Sequence, residues 1–179
     1  MGVKPIFVFI SFISFLINMD QKIIPNRYQV VPRTLIFILN GNEILLLKGS
    51  ENKKLWAGYY NGVGGHIERG ETVLEAAKRE LFEETGINDV ALRLRSIILI
   101  DVEENLGINL FVFVGEVDNK QIISGTEGEL TWVPLTNIEK YLLVEDLYKL
   151  IPKILEPRDD ILFGHYSYPK GKLLISFSS

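Results

Sequence analysis

The chain has 179 residues, of which 47% are hydrophobic and 23% charged, enough for one domain with a real core and unlike a disordered or collagen-like protein. Nineteen Lys plus Arg against 23 Asp plus Glu give a net charge of -4, which argues against holding nucleic acid mainly through a basic surface. There is no cysteine, which excludes disulfides, thiolate zinc sites and a cysteine nucleophile, and a reducing cytoplasmic setting fits.

From Pro5 to Asn18 no residue is charged, and Ile6, Phe7, Val8, Phe9, Ile10, Phe12, Ile13, Phe15, Leu16 and Ile17 form a dense apolar run. The run is shorter than the ~20 residues a spanning helix needs, and no small-residue cleavage site follows it. Three readings stay open: translation beginning at Met19, a short membrane or signal segment, and a packed element. The expected division is an apolar segment at 1–18 followed by a single domain at 19–179. A membrane partner is not expected unless the first segment is genuine.

Thr34–Leu39 and Glu43–Leu47 are β-rich runs joined by Asn40-Gly41-Asn42, a strong hairpin signal. A basic stretch from Lys48 to Lys54 follows, then an aromatic and glycine-rich segment from Leu55 to Gly65, read as loop and short strand. Thr72 to Gly86 is the best helix: Thr72 with Glu75 makes a capping box, Leu74, Ala76, Ala77 and Leu81 favour helix, and Gly86 suits a left-handed stop. Leu92–Val102 and Asn109–Val117 read as long strands joined by a polar turn at Glu103–Gly107, and Leu130–Pro134 as a shorter one. A second helix is expected over Val144–Leu155, bent or interrupted at Pro152. The tail from Ile161 to Phe177 reads as two short strands around Pro169-Lys170-Gly171. The whole predicts one mixed α/β domain.

Glu80, Glu83 and Glu84 stand at i, i+3 and i+4 of the first helix, within an arc of roughly 100°. Like charges there repel, and a hard divalent cation such as Mg²⁺ or Mn²⁺, which prefers oxygen ligands, would turn that repulsion into binding. The bland alternative is a solvated acidic face balanced by Lys78 and Arg79. Before the helix, Gly62, Gly64 and Gly65 leave backbone open to close approach by a phosphate or metal, although a tight turn at a strand end has the same composition.

Together Gly65, Glu71, Arg79-Glu80-Leu81, Glu83-Glu84 and Gly86-Ile87 resemble the Nudix box, Gly-x5-Glu-x7-Arg-Glu-U-x-Glu-Glu-x-Gly-U, at every defined position, U being a bulky aliphatic residue. The likeness extends more loosely from about Arg33 to Leu155. It implies an α/β/α sandwich around a mixed β-sheet, a nucleoside diphosphate-linked small-molecule substrate rather than a nucleic acid polymer, and Mg²⁺ or Mn²⁺. Carried over by position, Glu83 and Glu84 are the surest metal ligands, Glu80 a base or further ligand, and Gly65 a carbonyl donor. Arg79 and Glu71 match a pair that braces loop against helix. Glu127, with Glu129 second, is the candidate for a later-loop carboxylate.

The segment Leu55–Gly65 is similar to MutT-like members that act on oxidised purine triphosphates. There Asn61 falls where an Asn contacts the purine, and Trp132 where an aromatic lies against the base. Each has an ordinary alternative, Asn61 as a turn residue and Trp132 as a core side chain. Trp56, Tyr59 and Tyr60 could stack on a base or cover the sheet. Where the human member has Arg-Trp-Asn this chain has Tyr59-Tyr60-Asn61, and it has Thr136-Asn137 near where that enzyme has paired aspartates. Gly64, Gly65 and Lys48, the last aided by Lys53 and Lys54, are the expected phosphate contacts. His66 and His165 read as ordinary polar residues. The expected activity is hydrolysis of a purine nucleoside triphosphate, such as 8-oxo-dGTP, to monophosphate and pyrophosphate. The alternatives are action on ADP-ribose, a dinucleoside polyphosphate or a nucleotide sugar, and a sensing module without turnover.

Overall fold

A computed structural model describes residues 27–50, 56–123 and 128–178. The apolar segment, Met19, Lys53, Lys54 and Glu127 lie outside the described residues. Among the described residues the strands are β1 (Gln29–Asn40), β2 (Glu43–Gly49), β3 (Tyr60–Asn61), β4 (Arg93–Glu103), β5 (Leu106–Glu116), β6 (Gly128–Pro134), β7 (Leu162–Ser167) and β8 (Leu174–Ser178). Two α-helices, α1 (Val73–Thr85) and α2 (Leu147–Leu155), accompany them.

The strands make one mixed sheet in the order β3-β2-β1-β5-β4-β7-β8, with β6 on the other side of β2. The pairs β1–β5 and β4–β7 are parallel, and the remaining pairs are antiparallel. The hairpin forms as its turn residues dictate, with Asn40 opposite Glu43. Strand β1 begins earlier than its local pattern predicts, because it pairs with β5 from Gln29 to Leu39. The turn after β4 is tighter than expected, and Gly107 belongs to β5, where a Cβ would fall 2.0 Å from the Tyr28 hydroxyl.

Alternation along the central strands gives the sheet two apolar faces. Ile36 and Ile38 with Leu45 and Leu47 join Ala77 and Leu81 of α1 on one face. Leu35 and Phe37 with Ile44 and Leu46 join Leu147, Leu150, Ile151 and Ile154 of α2 on the other. Fully burying each of the large aliphatic chains is worth about 1.5–3 kcal/mol, so the two layers hold the sheet from both sides.

Helix α2 starts later than predicted. The Val144 N–H is engaged by the Tyr60 carbonyl at 3.0 Å, and Tyr60 donates to the Leu142 carbonyl at 2.8 Å, so residues 142–144 serve as a bridge to β3. The helix also continues through Pro152 rather than stopping there. Pro152 faces solvent, where water can satisfy the carbonyl that its missing N–H leaves.

Both ends of α1 follow the sequence reading. Thr72 Oγ1 accepts from Glu75 N–H at 3.3 Å, Glu75 Oε2 accepts from Thr72 N–H at 2.8 Å, and Gly86 closes the helix at φ 72°. Replacing Thr72 with Ala is expected to lower unfolding free energy by about 1 kcal/mol, measured as a lower urea midpoint with an unchanged slope.

Candidate active site

Residues 60–66 are threaded between two strands of the sheet. Tyr60 and Asn61 pair with Lys48 and Leu47 of β2, whereas Val63 and His66 bridge Ile36 and Arg33 of β1. This path lays the glycine run over β1 and beneath α1. Gly64 adopts φ +148°, and a Cβ there would fall 2.3 Å from the Thr34 carbonyl oxygen. At Gly65 a Cβ would fall 2.4 Å from Glu80 Oε1, while the Gly65 carbonyl accepts from Thr34 N–H at 2.9 Å. The glycines are thus required first for contact with the protein's own backbone and carboxylates.

The helix carboxylates do not form a uniform solvated face. Glu84 is buried, and its Oε2 accepts from Gly64 N–H at 3.2 Å. Glu80 is mostly buried, and Glu83 is exposed. Arg79 lies among them. Its Nε and Nη2 donate to the two oxygens of Glu71 at 2.6 and 3.1 Å, and Nη2 also donates to the His66 carbonyl at 3.0 Å. Its Nη1 reaches Glu80 Oε1 at 2.8 Å and Glu83 Oε2 at 3.1 Å. The Arg79 bond and then the Glu68 N–H hold the Glu71 carboxyl below its ordinary range. Hydrogen bonds to Glu71 and then Glu80 raise the affinity of Arg79 for its proton.

Among the described residues no three His, Asp or Glu side chains are gathered as a ready cation cage. The donor chemistry nevertheless fits a hard divalent ion: three carboxylates and a backbone carbonyl supply only oxygen. At Gly65 no side chain separates the loop from Glu80, whose carboxylate takes the space of a Cβ. Glu83 and Glu84, with the Gly65 carbonyl, are the groups that could hold such an ion, and Glu83 would first have to leave its bond to Arg79.

The other expected contacts separate across the sheet. Lys48 lies with its Nζ 6.0 Å from the Tyr60 ring centre. It pairs across β2–β6 with Glu129, and alternation from Leu47 puts both on the face away from α1. Neither is offered to the helix carboxylates. Asn61 turns its Oδ1 to its neighbour's N–H, on Gly62, at 2.8 Å. Trp132 stands opposite Leu45, packs against the α1-side core and donates its indole N–H to the Lys120 carbonyl at 3.4 Å. This gives half-buried Trp132 the packing contacts of its ordinary alternative, with the rest of the ring left accessible. His66 contributes only its carbonyl to the Arg79 tie, and His165 pairs with Asp101 at 2.9 Å.

Asp146 was not a sequence candidate. It is mostly buried just before α2, two positions beyond the Tyr60 bridge, and burial, then the neighbouring Glu145 charge, pushes its carboxyl up to about 6. Tyr166, close enough to feel that charge, is 1% exposed, and its hydroxyl has no hydrogen-bond partner among the described residues. The only sequence signal was an acidic pair, Glu145-Asp146, ahead of an apolar helix, which reads as ordinary helix-start chemistry. A separate cleft of about 580 Å³ beside Arg93, Arg95 and Arg158 shares no residue with this constellation.

The chain matches the profile of the NUDIX domain over residues 30–154. It is 27% identical over 157 residues to an oxidized purine nucleoside triphosphate hydrolase of Mus musculus, covering 81% of this chain and 91% of that one. A MutT protein from Bacillus halodurans superposes with a TM-score of 0.69 at 25% identity, over 83% of this chain and 97% of that one. A bifunctional NMN adenylyltransferase/ADP ribose pyrophosphatase from Francisella tularensis, complexed with AMP and a Mn ion, shares the fold. Its TM-score is 0.56 at 20% identity, over 82% of this chain and 45% of that one.

A carboxyl raised from 3.8 to about 6 favours folding below its unfolded value and loses that contribution as pH rises through 6. Replacing Asp146 with Asn is therefore expected to stabilise the protein at pH 8, by at most about 3 kcal/mol, and to give no gain at pH 4. Thermal unfolding of both proteins across this range measures the crossover.

Proposed function

The chain belongs to the NUDIX family and is a Nudix hydrolase, and from that premise we propose that it converts a purine nucleoside triphosphate, with 8-oxo-dGTP the preferred kind, to the monophosphate and pyrophosphate. The observation that carries this reading is the junction of the glycine run with α1, where Gly64 meets Glu84 and Gly65 meets Glu80. The extended likeness to the mouse hydrolase, across most of both chains, supports the choice of substrate.

Members of the family generally use divalent metals, and Mg²⁺ or Mn²⁺ is the proposed cofactor here. When bound by Glu83, Glu84 and the Gly65 carbonyl, such an ion supplies charge neutralisation to the polyphosphate and acidifies a water. The chain itself supplies the rest. Glu80, beside the glycine backbone and bonded through one oxygen to Arg79, is the proposed acceptor for the proton of the attacking water. Arg79 and Glu71 lock the loop to the helix, so the acceptor keeps its place while charge develops on the phosphate oxygens. The glycines let the loop lie close against Glu80 and Glu84, and the negative charge of the protein is no obstacle to a polyphosphate where a cation offsets it.

The base is assigned to the end of the 60–65 segment nearest the Tyr60 bridge. Asn61 offers an amide there, and Asp146 a carboxyl two positions beyond Val144, whose N–H meets the Tyr60 carbonyl. A purine edge presents donors beside acceptors, which suits that pair.

The test is a panel of 8-oxo-dGTP, dGTP, ADP-ribose and diadenosine polyphosphates incubated with the full chain and Mg²⁺, with products separated chromatographically. Monophosphate plus pyrophosphate from the triphosphates is expected, with 8-oxo-dGTP turned over fastest. Turnover of ADP-ribose alone would replace the proposed substrate, and tight binding without turnover would make the protein a sensor. Replacing Glu83 with Gln is expected to cut turnover about a hundredfold or more while leaving the circular dichroism spectrum unchanged.

A further inference from the structure

Trp56 is held in a way that packing alone does not explain. It has a left-handed backbone, φ 63°, a conformation costly for a residue with a Cβ. Its side chain is nevertheless 48% exposed, so no deep burial offsets the strain. The turn that carries it is firmly anchored: Tyr59 N–H donates to the Trp56 carbonyl at 3.1 Å, while Gly49 exchanges hydrogen bonds with Gly58 and Tyr59 at 2.9 and 3.0 Å. Tyr59 supports the indole edge-on, with ring centres 5.9 Å apart and planes at 74°. The indole is thus fixed at the end of β2 and presented to solvent. Backbone strain at a rigidly held, exposed side chain points to a function outside the fold.

The neighbourhood narrows what that function is. From Trp56 the chain leads through Tyr59 and Tyr60 into Asn61, and then along the bridged segment to Gly65 and the carboxylates. Lys48 over Tyr60, and Tyr60 edge-on to Tyr141 with ring centres 5.3 Å apart, continue the aromatic surface. A nucleotide whose phosphates are held through a cation at Glu83 and Glu84 and whose sugar follows residues 60–65 has its base directed toward this turn. We propose that Trp56 is the stacking platform for the nucleobase, selecting purines over pyrimidines through their larger π-face; this deepens the nucleotide reading above and rests on it. Asn61 and Asp146 address the edge of the base, and Trp56 its face.

The test is equilibrium binding of dGMP, dCMP and pyrophosphate, in the presence of Mg²⁺, to the full chain by calorimetry, with Trp56→Phe, Trp56→Ala and Trp56→Gly. Loss of stacking is expected to weaken dGMP roughly five- to a hundredfold in the Ala and Gly variants. Phe should retain most of the affinity, and pyrophosphate binding should stay unchanged. The preference for dGMP over dCMP should shrink in step. The Gly variant should also melt several degrees higher, because glycine accepts positive φ without strain, which separates lost binding from lost folding. Wild-type dGMP affinity in folded Ala and Gly variants would overturn the platform while leaving the nucleotide reading intact. A wild-type protein that binds neither mononucleotide would overturn both.

Discussion

The guanidinium of Arg79 is the tie on which the site depends. Glu71, Glu80, Glu83 and Glu84 crowd one end of a loop–helix junction, and without a cation among them their repulsion would drive the loop away from α1. One planar group with five donors reaches Glu71, Glu80, Glu83 and the His66 carbonyl at once. A lysine could supply the charge but not that fixed fork. The brace that positions the loop also takes two of the carboxylates proposed for the chemistry. The exposed Glu83 makes the longer of those two bonds and is the one that can be released without disturbing Glu71.

The second constraint is space. Gly64 and Gly65 have no room for a side chain because β1 and Glu80 already fill it. The glycine run is thus a packing solution before it is a binding surface, and both uses follow from bringing backbone close to a carboxylate. The bridged segment 60–66 joins this junction to the aromatic turn and to the stretch before α2. The helix carboxylates on one face of the sheet are in this way connected to the tyrosines on the other by a few extended residues.

Much of this was legible in the sequence where the forces are local. The capping residues Thr72 and Glu75, the stop at Gly86 and the Asn40-Gly41 turn fix their conformations through near neighbours, and they appear where their chemistry puts them. The box residues also announced the junction, including the Arg79–Glu71 pair. What the sequence did not disclose depends on distant partners. The early start of β1 comes from β5, and the late start of α2 from Tyr60. Lys48 lies on the face away from α1 because strand register decides which face a side chain takes. Asp146 was invisible because a carboxylate becomes unusual only when the fold removes its water.

The parallel alignment of β1 with β5 joins segments that are far apart in the chain; Asn40 reaches the Val117 carbonyl across 77 positions. The hairpin of β1 and β2 can close early, but its central strand remains half-unpaired until β5 arrives. During synthesis that means most of α1 has left the ribosome before its floor exists. Assembly of the sheet is therefore a late, long-range event, of the kind that slows folding and prolongs exposure of sticky edges. The strand most central to the finished molecule is the one a chaperone would have to shield longest.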